Sequence, residues 1–350
     1  MKKRTISLML AVALIMACLT GCGGSSASES SNTPAGNNAP AAQQRVWKLS
    51  HMRAEGTDND NLAHEFADNV MGQIDGLQID IYANNQLGDY TVVQEAVGLG
   101  EVEMALASIS NGVDPTLSVQ IAPYLVTNWD EAQKFYNSTD GMMYEYIRDR
   151  LVEQNIKLLA VIPKYFGAIM TTKEAQNIDD PTGNKGVKIR VPQMNSFESF
   201  ASSIGFQTTP LPASDGFTAL QTHVVDGFCG GGTESYWNDY REVVKFVYCM
   251  KTHMENHWLY MSMDTWNSLN ADEQAVITQA AKDLESSAFD LAMSNEEKFN
   301  NLFEKNGVPV YVPSDEVVET YKEYVRTNVW PQIASEYGEV WNQITAAIKD

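Results

Sequence analysis

The chain has 350 residues, of which 24 are Lys or Arg and 45 are Asp or Glu, so its formal net charge is −21. A chain this acidic repels nucleic acid and anionic lipid, and we expect neither as a partner. Its length is enough to bury a large core and predicts a division into two lobes.

The N-terminus predicts an export signal. Residues 2–4 are basic, and the run 6–19 is mostly apolar. A membrane-spanning helix needs about 20 residues, so this run suits the apolar part of a signal peptide better. It ends in Leu-Thr-Gly-Cys, which is similar to the bacterial lipobox and predicts a signal peptide over residues 1–21 and a lipid on Cys22. The alternative is an ordinary secretory signal with an incidental cysteine.

Residues 22–45 predict a flexible tether behind that cysteine. They are mainly Gly, Ser, Asn, Ala, Pro and Gln, with almost no large apolar side chain. Such a segment cannot bury enough surface to offset the entropy of ordering it, so folding is expected to begin near Val46. We therefore expect an exported protein, lipid-anchored to the cell membrane and facing the periplasm or the cell exterior.

Short apolar runs then alternate with helical patterns. Residues 59–70 predict a helix with Leu62, Phe66 and Val70 on one face. Other helices are predicted around 196–203 and 215–222. Strands are predicted at 47–52, 77–83, 103–108, 157–163, 168–172, 187–191 and 207–211. This alternation indicates an α/β fold with mainly parallel sheets, and its renewal after Gly167 indicates a second lobe.

The stretch from Asp272 to Lys305 contains no Pro and no Gly and is rich in helix-forming residues. As one helix it would be about 50 Å long, enough to brace two lobes. The alternative is two helices with an uncapped break. Residues 308–312 then predict a late strand, and a last helix is expected before Trp330.

Catalytic and metal-binding patterns are weak. His253 and His257 are four residues apart, but their flanks resemble a strand, and no glutamate follows the first histidine as zinc proteases require. Residues 58–61 lack the glycine and closing glutamate of a calcium loop, so helix capping explains them better. The glycines at 230–232 lack the lysine of a phosphate loop and indicate a tight turn or a close approach of backbone to a ligand. We expect no cofactor, no metal and no enzymatic activity.

Two cysteines follow the predicted anchor. Cys229 and Cys249 could pair in an oxidising compartment, but nothing in their spacing requires a disulfide. Two buried free thiols are the alternative.

Arg190 is unusual because it lies inside the apolar strand Val187–Pro192. A buried cation needs a partner, and the planar guanidinium matches a carboxylate through two hydrogen bonds. The pattern alone leaves two interpretations open, a ligand carboxylate or a structural salt bridge.

Several segments in order resemble the solute-binding subunits of tripartite ATP-independent periplasmic (TRAP) transporters, of the dicarboxylate- and sialate-binding type. The matching segments are Asn-Gln-Leu-Gly at 85–88, residues 94–105, Pro-Tyr-Leu at 123–125, Gly-Val-Lys-Ile-Arg-Val-Pro at 186–192, residues 219–221, Val-Val-Asp-Gly at 224–227, residues 240–245 and residues 265–269. Together they cover nearly everything from Trp47 to about Gly307.

The resemblance implies a two-lobed periplasmic-binding-protein clamshell with a long helix bracing both lobes. Lobe I would comprise 46–167 plus about 253–290, and lobe II 168–252 plus about 291–350. In this family an arginine at the position of Arg190 pairs with the ligand carboxylate. Two polar positions of the sialate-type site are replaced, by Ile169 and by Gly230. Residues expected to compensate or to face the cleft are Lys164, Tyr165, Arg53, His51, Asn111, Gln193, Tyr236 and Trp258.

The resemblance predicts a monomer that captures a small organic acid and delivers it to a TRAP-type membrane permease. Two alternatives remain open at this stage. A clamshell of this kind could serve an ATP-driven importer or a sensor kinase, and an anchored hydrolase or metalloenzyme would need a catalytic constellation that the sequence does not display.

Overall fold

The computed structural model describes residues 44–348, so the predicted signal peptide, Cys22 and nearly all of the tether lie outside the described residues. Within that range the chain forms two mixed β-sheets. The strands are β1 (Arg45–His51), β2 (Leu77–Tyr82), β3 (Met104–Ala107), β4 (Ile156–Phe166), β5 (Ala168–Thr171), β6 (Lys188–Val191), β7 (Gln207–Pro210), β8 (Gly227–Gly231), β9 (Phe246–Tyr248), β10 (Met254–Ser262) and β11 (Val310–Tyr311).

The first sheet has the order β2-β1-β3-β10-β4, and the second has the order β11-β9-β5-β8-β6-β7. Strand β1 is parallel to β2 and β3, and β6 is parallel to β7 and β8. However, β10 is antiparallel to both of its neighbours, and so is β5. The prediction of mainly parallel sheets is therefore only partly right. The chain passes from the first sheet to the second after β4 and comes back at the start of β10. Strands β4 and β10 therefore run in opposite directions.

Twelve α-helices cover the sheets within the described range. They are α1 (Asp58–Met71), α2 (Tyr90–Gly98), α3 (Trp129–Tyr136), α4 (Met142–Val152), α5 (Asn195–Ser203), α6 (Gly216–Gln221), α7 (Thr233–Tyr240), α8 (Met263–Asn267), α9 (Ala271–Lys305), α10 (Asp315–Asn328), α11 (Trp330–Tyr337) and α12 (Val340–Ala347). Two 3₁₀ helices lie at Pro115–Ile121 and Ala213–Asp215. Over residues 44–348, no helix is both long and apolar enough to cross a membrane.

The first helix follows from its sequence pattern. Leu62, Phe66 and Val70 are all buried in the core of the first sheet. Thr57 is the N-cap residue, and the backbone carbonyl of Ala54 accepts a hydrogen bond from its hydroxyl. Asp60 accepts a hydrogen bond from the backbone amide of Gly56 at 2.8 Å. The acidic residues at 58–61 thus belong to a helix start, as capping predicted.

Helix α9 is continuous over 35 residues, so the alternative of two helices is wrong. Asn270 caps its N-terminus, and the Glu273 carboxylate accepts a hydrogen bond from the backbone amide of Asn270, which completes a capping box. Its apolar side chains from Ile277 to Ala288 join the core of the first sheet, whereas Phe303 near its end belongs to the core of the second. One helix therefore supports both sheets.

Two short crossovers connect the sheets. Only Gly167 separates β4 from β5, and residues 249–253 connect β9 to β10. The crossovers are hydrogen-bonded to each other, because Gly167 donates to the carbonyl of His253 at 2.7 Å and Thr252 donates to the carbonyl of Gly167 at 2.9 Å. A Cβ at position 167 would lie 2.4 Å from Thr252 Oγ1. Close packing therefore disfavours a larger residue at this position.

The C-terminal region contains three helices where one was expected. Trp330 Nε1 donates to the carbonyl of Pro123 at 2.9 Å, and the Arg326 guanidinium donates to the carbonyls of Tyr124 and Leu125. These bonds attach α10 and α11 to the segment that precedes α3.

Candidate functional site

A cavity of about 170 Å³ lies between the edges of the two sheets. Residues from both sheets and from the helices that flank them form its wall. On the side of the first sheet these are Tyr90, Ser108, Ile109, Asn111, Ser118, Gln120, Ile121, Glu255 and Asn256; on the side of the second they are Arg190, Pro192, Met194, Phe197, Ala213 and Gly230; His253 belongs to the crossover between them. This position between two sheets is a usual place for a small-molecule site.

Arg190 lies on β6 and is only 5% exposed. Its Nε donates to the carbonyl of Leu211 at 2.7 Å, and its guanidinium stacks over the ring of Phe228 at 4.7 Å. Burial lowers its pKa, and none of the ion pairs formed among the described residues includes Arg190. The guanidinium is thus fixed in place while its two terminal nitrogens are left for another partner.

Gly230 shapes the wall beside this guanidinium. Its φ of +97° lies in the left-handed region that favours glycine. A Cβ there would lie 2.6 Å from Pro192 Cγ and 3.6 Å from Arg190 Nη1. Its backbone conformation and its close packing against Pro192 therefore both favour glycine at position 230.

The other predicted site residues divide into several groups. Asn111 lines the cavity with Arg190 and Gly230, whereas Gln193 is exposed and does not line it. Trp258 is fully buried one layer behind, where its Nε1 donates to Gln120 Oε1 at 2.6 Å.

Tyr236 lies on α7, is hydrogen-bonded to the protein backbone, and does not line the cavity. It is 1% exposed, and its hydroxyl donates to the carbonyl of Ala168 at 2.9 Å and accepts from the amide of Gly231 at 3.2 Å.

A second polar cluster connects the first sheet to α7. Lys164 forms an ion pair with Glu234 at 3.1 Å with both side chains buried, and Arg53 lies 3.7 Å from Asp239. Burial acts to lower the pKa of Arg53, but Tyr165 and the nearby carboxyl groups outweigh it and raise that pKa. Lys164 and Arg53, which were expected to replace the absent polar contacts, thus have carboxylate partners within the protein, and neither they nor Tyr165 line the 170 Å³ cavity.

His51 and His257 belong to the interior behind the first sheet. His51 Nε2 lies 2.9 Å from Asp60 Oδ1, and His257 Nδ1 lies 2.6 Å from Asn59 Oδ1. Burial lowers the pKa of both histidines. Among the described residues, no group of three or more His, Cys, Asp or Glu side chains is placed to hold a metal ion.

Cys229 and Cys249 are both buried free thiols, so the prediction that they could pair in a disulfide is wrong. Burial raises the pKa of Cys229 and of Cys249 to about 12, so both thiols are neutral.

Sequence reasoning missed Glu255 and Asn256, which line the cavity beside Arg190. Both are polar residues of a largely buried strand, a signal similar to the one that identified Arg190. They lie between His253 and His257, for which a place near a cleft or a sheet edge is the better prediction than a metal site.

The comparisons with known proteins identify the family. The model of the bacterial extracellular solute-binding proteins, family 7, matches residues 49–336. This chain belongs to that family. The resemblance to TRAP solute-binding subunits is therefore confirmed, and this solute-binding protein belongs to a family of receptors, not of enzymes.

Relatives of this solute-binding protein extend over most of the chain. The sialic acid-binding periplasmic protein SiaP of Vibrio cholerae is 25% identical over 300 residues, which are 83% of this chain and 91% of SiaP. A solute-binding protein of Roseobacter denitrificans is 26% identical over 251 residues, 70% of this chain and 74% of its own length.

A crystal structure of a TRAP periplasmic solute binding protein from Haemophilus influenzae with bound L-gulonate has the same fold. It aligns with a TM-score of 0.76 at 24% identity, over 87% of this chain and 98% of its own. The predicted two-lobed α/β clamshell is thus confirmed.

Proposed function

We propose that this protein captures a small organic acid with Arg190 and delivers it to a TRAP-type membrane permease. The observation that supports this is a buried, oriented guanidinium in an interlobe cavity that takes part in none of the ion pairs among the described residues. A charge desolvated in this way favours an anionic ligand that supplies the missing partner. The V. cholerae relative is named for sialic acid and the H. influenzae structure contains L-gulonate, and both molecules are carboxylic acids.

Binding would be coupled to closure of the clamshell. The cavity wall comes from both sheets, so a ligand that contacts both sides stabilises the closed form. Lobe I would comprise residues 46–167 and about 253–290, and lobe II the remainder of the folded chain. Closure then presents a surface that the permease can distinguish from that of the open form.

The protein would act as an exported monomer held at the membrane by a lipid on Cys22, with residues 22–45 as the tether. The anchor keeps the receptor near its permease at a high effective concentration. Replacing Cys22 with serine should release the protein from washed membranes, which cell fractionation measures.

Calorimetric titration tests the carboxylate requirement. We expect at least one C3–C6 organic acid to bind, and its primary amide to bind at least about 100-fold more weakly, since the charge-assisted pair with Arg190 is lost. Equal binding of an acid and its amide would refute the proposed function.

A further inference from the structure

The first-sheet side of the cavity carries a carboxyl group of its own. Glu255 lies on β10 and lines the same cavity as Arg190. Its Oε1 accepts a hydrogen bond from Ser108 Oγ at 3.1 Å, and its Oε2 lies 3.8 Å from His253 Nε2. That histidine is neutral, because burial lowers its pKa to about 3.

No cation is committed to Glu255 within the described part of the chain. The two nearby cations have other partners, since Lys164 pairs with Glu234 and Arg53 lies beside Asp239. Burial raises the pKa of Glu255 to about 7, and Arg53, Ser108 and Lys164 offset that effect only in part. Tyr90, which lines the same cavity, is influenced by the charges of both Glu255 and Arg190.

Two further polar side chains of the same wall lack hydrogen-bond partners within residues 44–348. Asn256 is 1% exposed, and neither its side-chain oxygen nor its nitrogen is hydrogen-bonded to a residue of that range; the Nε2 of His253, also 1% exposed, is not hydrogen-bonded to one either. Buried polar groups are nearly always hydrogen-bonded, so these atoms indicate a ligand that supplies the bonds. The amide of Asn256 needs both an acceptor and a donor. A hydroxyl group can be both, whereas an ammonium group only donates.

We propose that Glu255, with Asn256 and His253, forms a hydroxyl-binding subsite that selects short hydroxylated monocarboxylates and rejects dicarboxylates of the same chain length. The inference rests on the proposed function, because it takes the ligand carboxylate to be at Arg190. A second carboxylate would then face Glu255 in a poorly solvated cavity, where like charges repel strongly. The cavity of about 170 Å³ is close to one of 150 Å³ that holds a benzene molecule, which limits the ligand to a short chain.

The test uses matched probes with the same carbon chain. L-gulonate carries one carboxylate, D-glucarate is its oxidised form with two, and D-sorbitol is its reduced form with none. The analogous sets for four and three carbons are threonate, tartrate and threitol, and glycerate, tartronate and glycerol. Calorimetric titration of the full chain at pH 8, above the pKa of Glu255, gives the affinity for each probe.

We expect the monocarboxylate of one chain length to bind at least roughly 30-fold more tightly than its dicarboxylate, because like charges placed together cost several kcal/mol. In Glu255→Gln that ratio should fall to below about threefold, since glutamine keeps the hydrogen bonds and removes the charge. Glu285→Gln is the matched control. Glu285 is a buried glutamate whose pKa is also raised by burial, but it accepts hydrogen bonds from Ser138 and Val161 away from the cavity.

Each outcome has one interpretation. A dicarboxylate that binds wild type as tightly as its monocarboxylate overturns the subsite and leaves the carboxylate anchor intact. A polyol that binds as tightly as its monocarboxylate overturns the proposed function itself. Failure of all nine probes overturns the hydroxyl-binding subsite, whereas the proposed function is then overturned only if an acid and its amide bind equally. The wild-type comparison does not depend on any variant folding, and the melting temperature of Glu255→Gln without ligand shows whether that variant is folded.

Discussion

Replacing Arg190 with methionine should weaken ligand binding by about 100-fold or more while changing the stability of the ligand-free protein only slightly. The two terminal nitrogens of Arg190 are available for a bidentate pair with a carboxylate, while its Nε is already bonded to Leu211. Losing two charge-assisted hydrogen bonds costs about 3 to 5 kcal/mol, which corresponds to a factor of about 100 to several thousand in Kd.

The stability of the same variant distinguishes a ligand anchor from a structural salt bridge. Breaking a buried ion pair costs about 3 to 5 kcal/mol, because the remaining charge is left uncompensated. Among the described residues no carboxylate forms an ion pair with Arg190, so none is left unpaired by the substitution. The variant loses only the bond to Leu211 and the stacking on Phe228, so its free energy of unfolding should stay within about 1 to 2 kcal/mol of wild type.

Calorimetric titration with the tightest acid and urea denaturation without ligand provide the two measurements. Lys188→Met is the control, because it makes the same change in formal charge on the same strand but outside the cavity. Unchanged affinity in Arg190→Met, or a loss of stability above about 3 kcal/mol, would refute the reasoning.

Three further predictions concern stability. The pKa of Glu255 is about 7 in the folded protein, whereas its usual value is 4.5. Between pH 4.5 and pH 7 the folded state therefore keeps a proton that the unfolded state releases, so the free energy of unfolding falls as pH rises. Glu255→Gln should therefore gain stability relative to wild type by about 3 kcal/mol between pH 4.5 and pH 8 in urea titrations, and a pH-independent difference would contradict this. Lys164→Met should lose about 3 to 5 kcal/mol by leaving Glu234 unpaired, and adding Glu234→Gln should recover part of it; an equal or larger loss in the double variant would disprove the pairing argument. Gly167→Ala should lower the free energy of unfolding by about 1 to 3 kcal/mol or more, because its Cβ would overlap Thr252. An unchanged thermal midpoint would contradict this and would show that the two crossovers can move apart at little cost.

Much of the fold could be predicted because a pattern of residues within one helix or strand is enough to identify that helix or strand. The spacing of Leu62, Phe66 and Val70 identified α1, and the absence of Pro and Gly identified α9. The antiparallel direction of β10 was not predicted, since pairing depends on the route of the chain between distant segments and not on periodicity.

The site was predictable only where one residue contradicts its surroundings. Arg190 is a cation within an apolar strand, and it lines the cavity. The partners of Lys164 and Arg53 are Glu234 and Asp239, which are 70 and 186 positions away in the sequence, so no local pattern reports them. Gln193 was expected to face the cleft because it follows a strand, but the turn after β6 leaves it exposed.

The pairing of the two crossovers restricts how the sheets can move. Residues 167 and 252–253 are joined by two backbone hydrogen bonds, and α9 runs past both sheets as one unbroken rod. A single flexible linker would leave several independent rotations and translations between the lobes. We expect two paired linkers and one continuous helix to favour a rotation about an axis through the crossovers over other relative motions of the sheets. We therefore expect a substitution near that axis to change the rate of opening and closing more than the affinity for the proposed ligand.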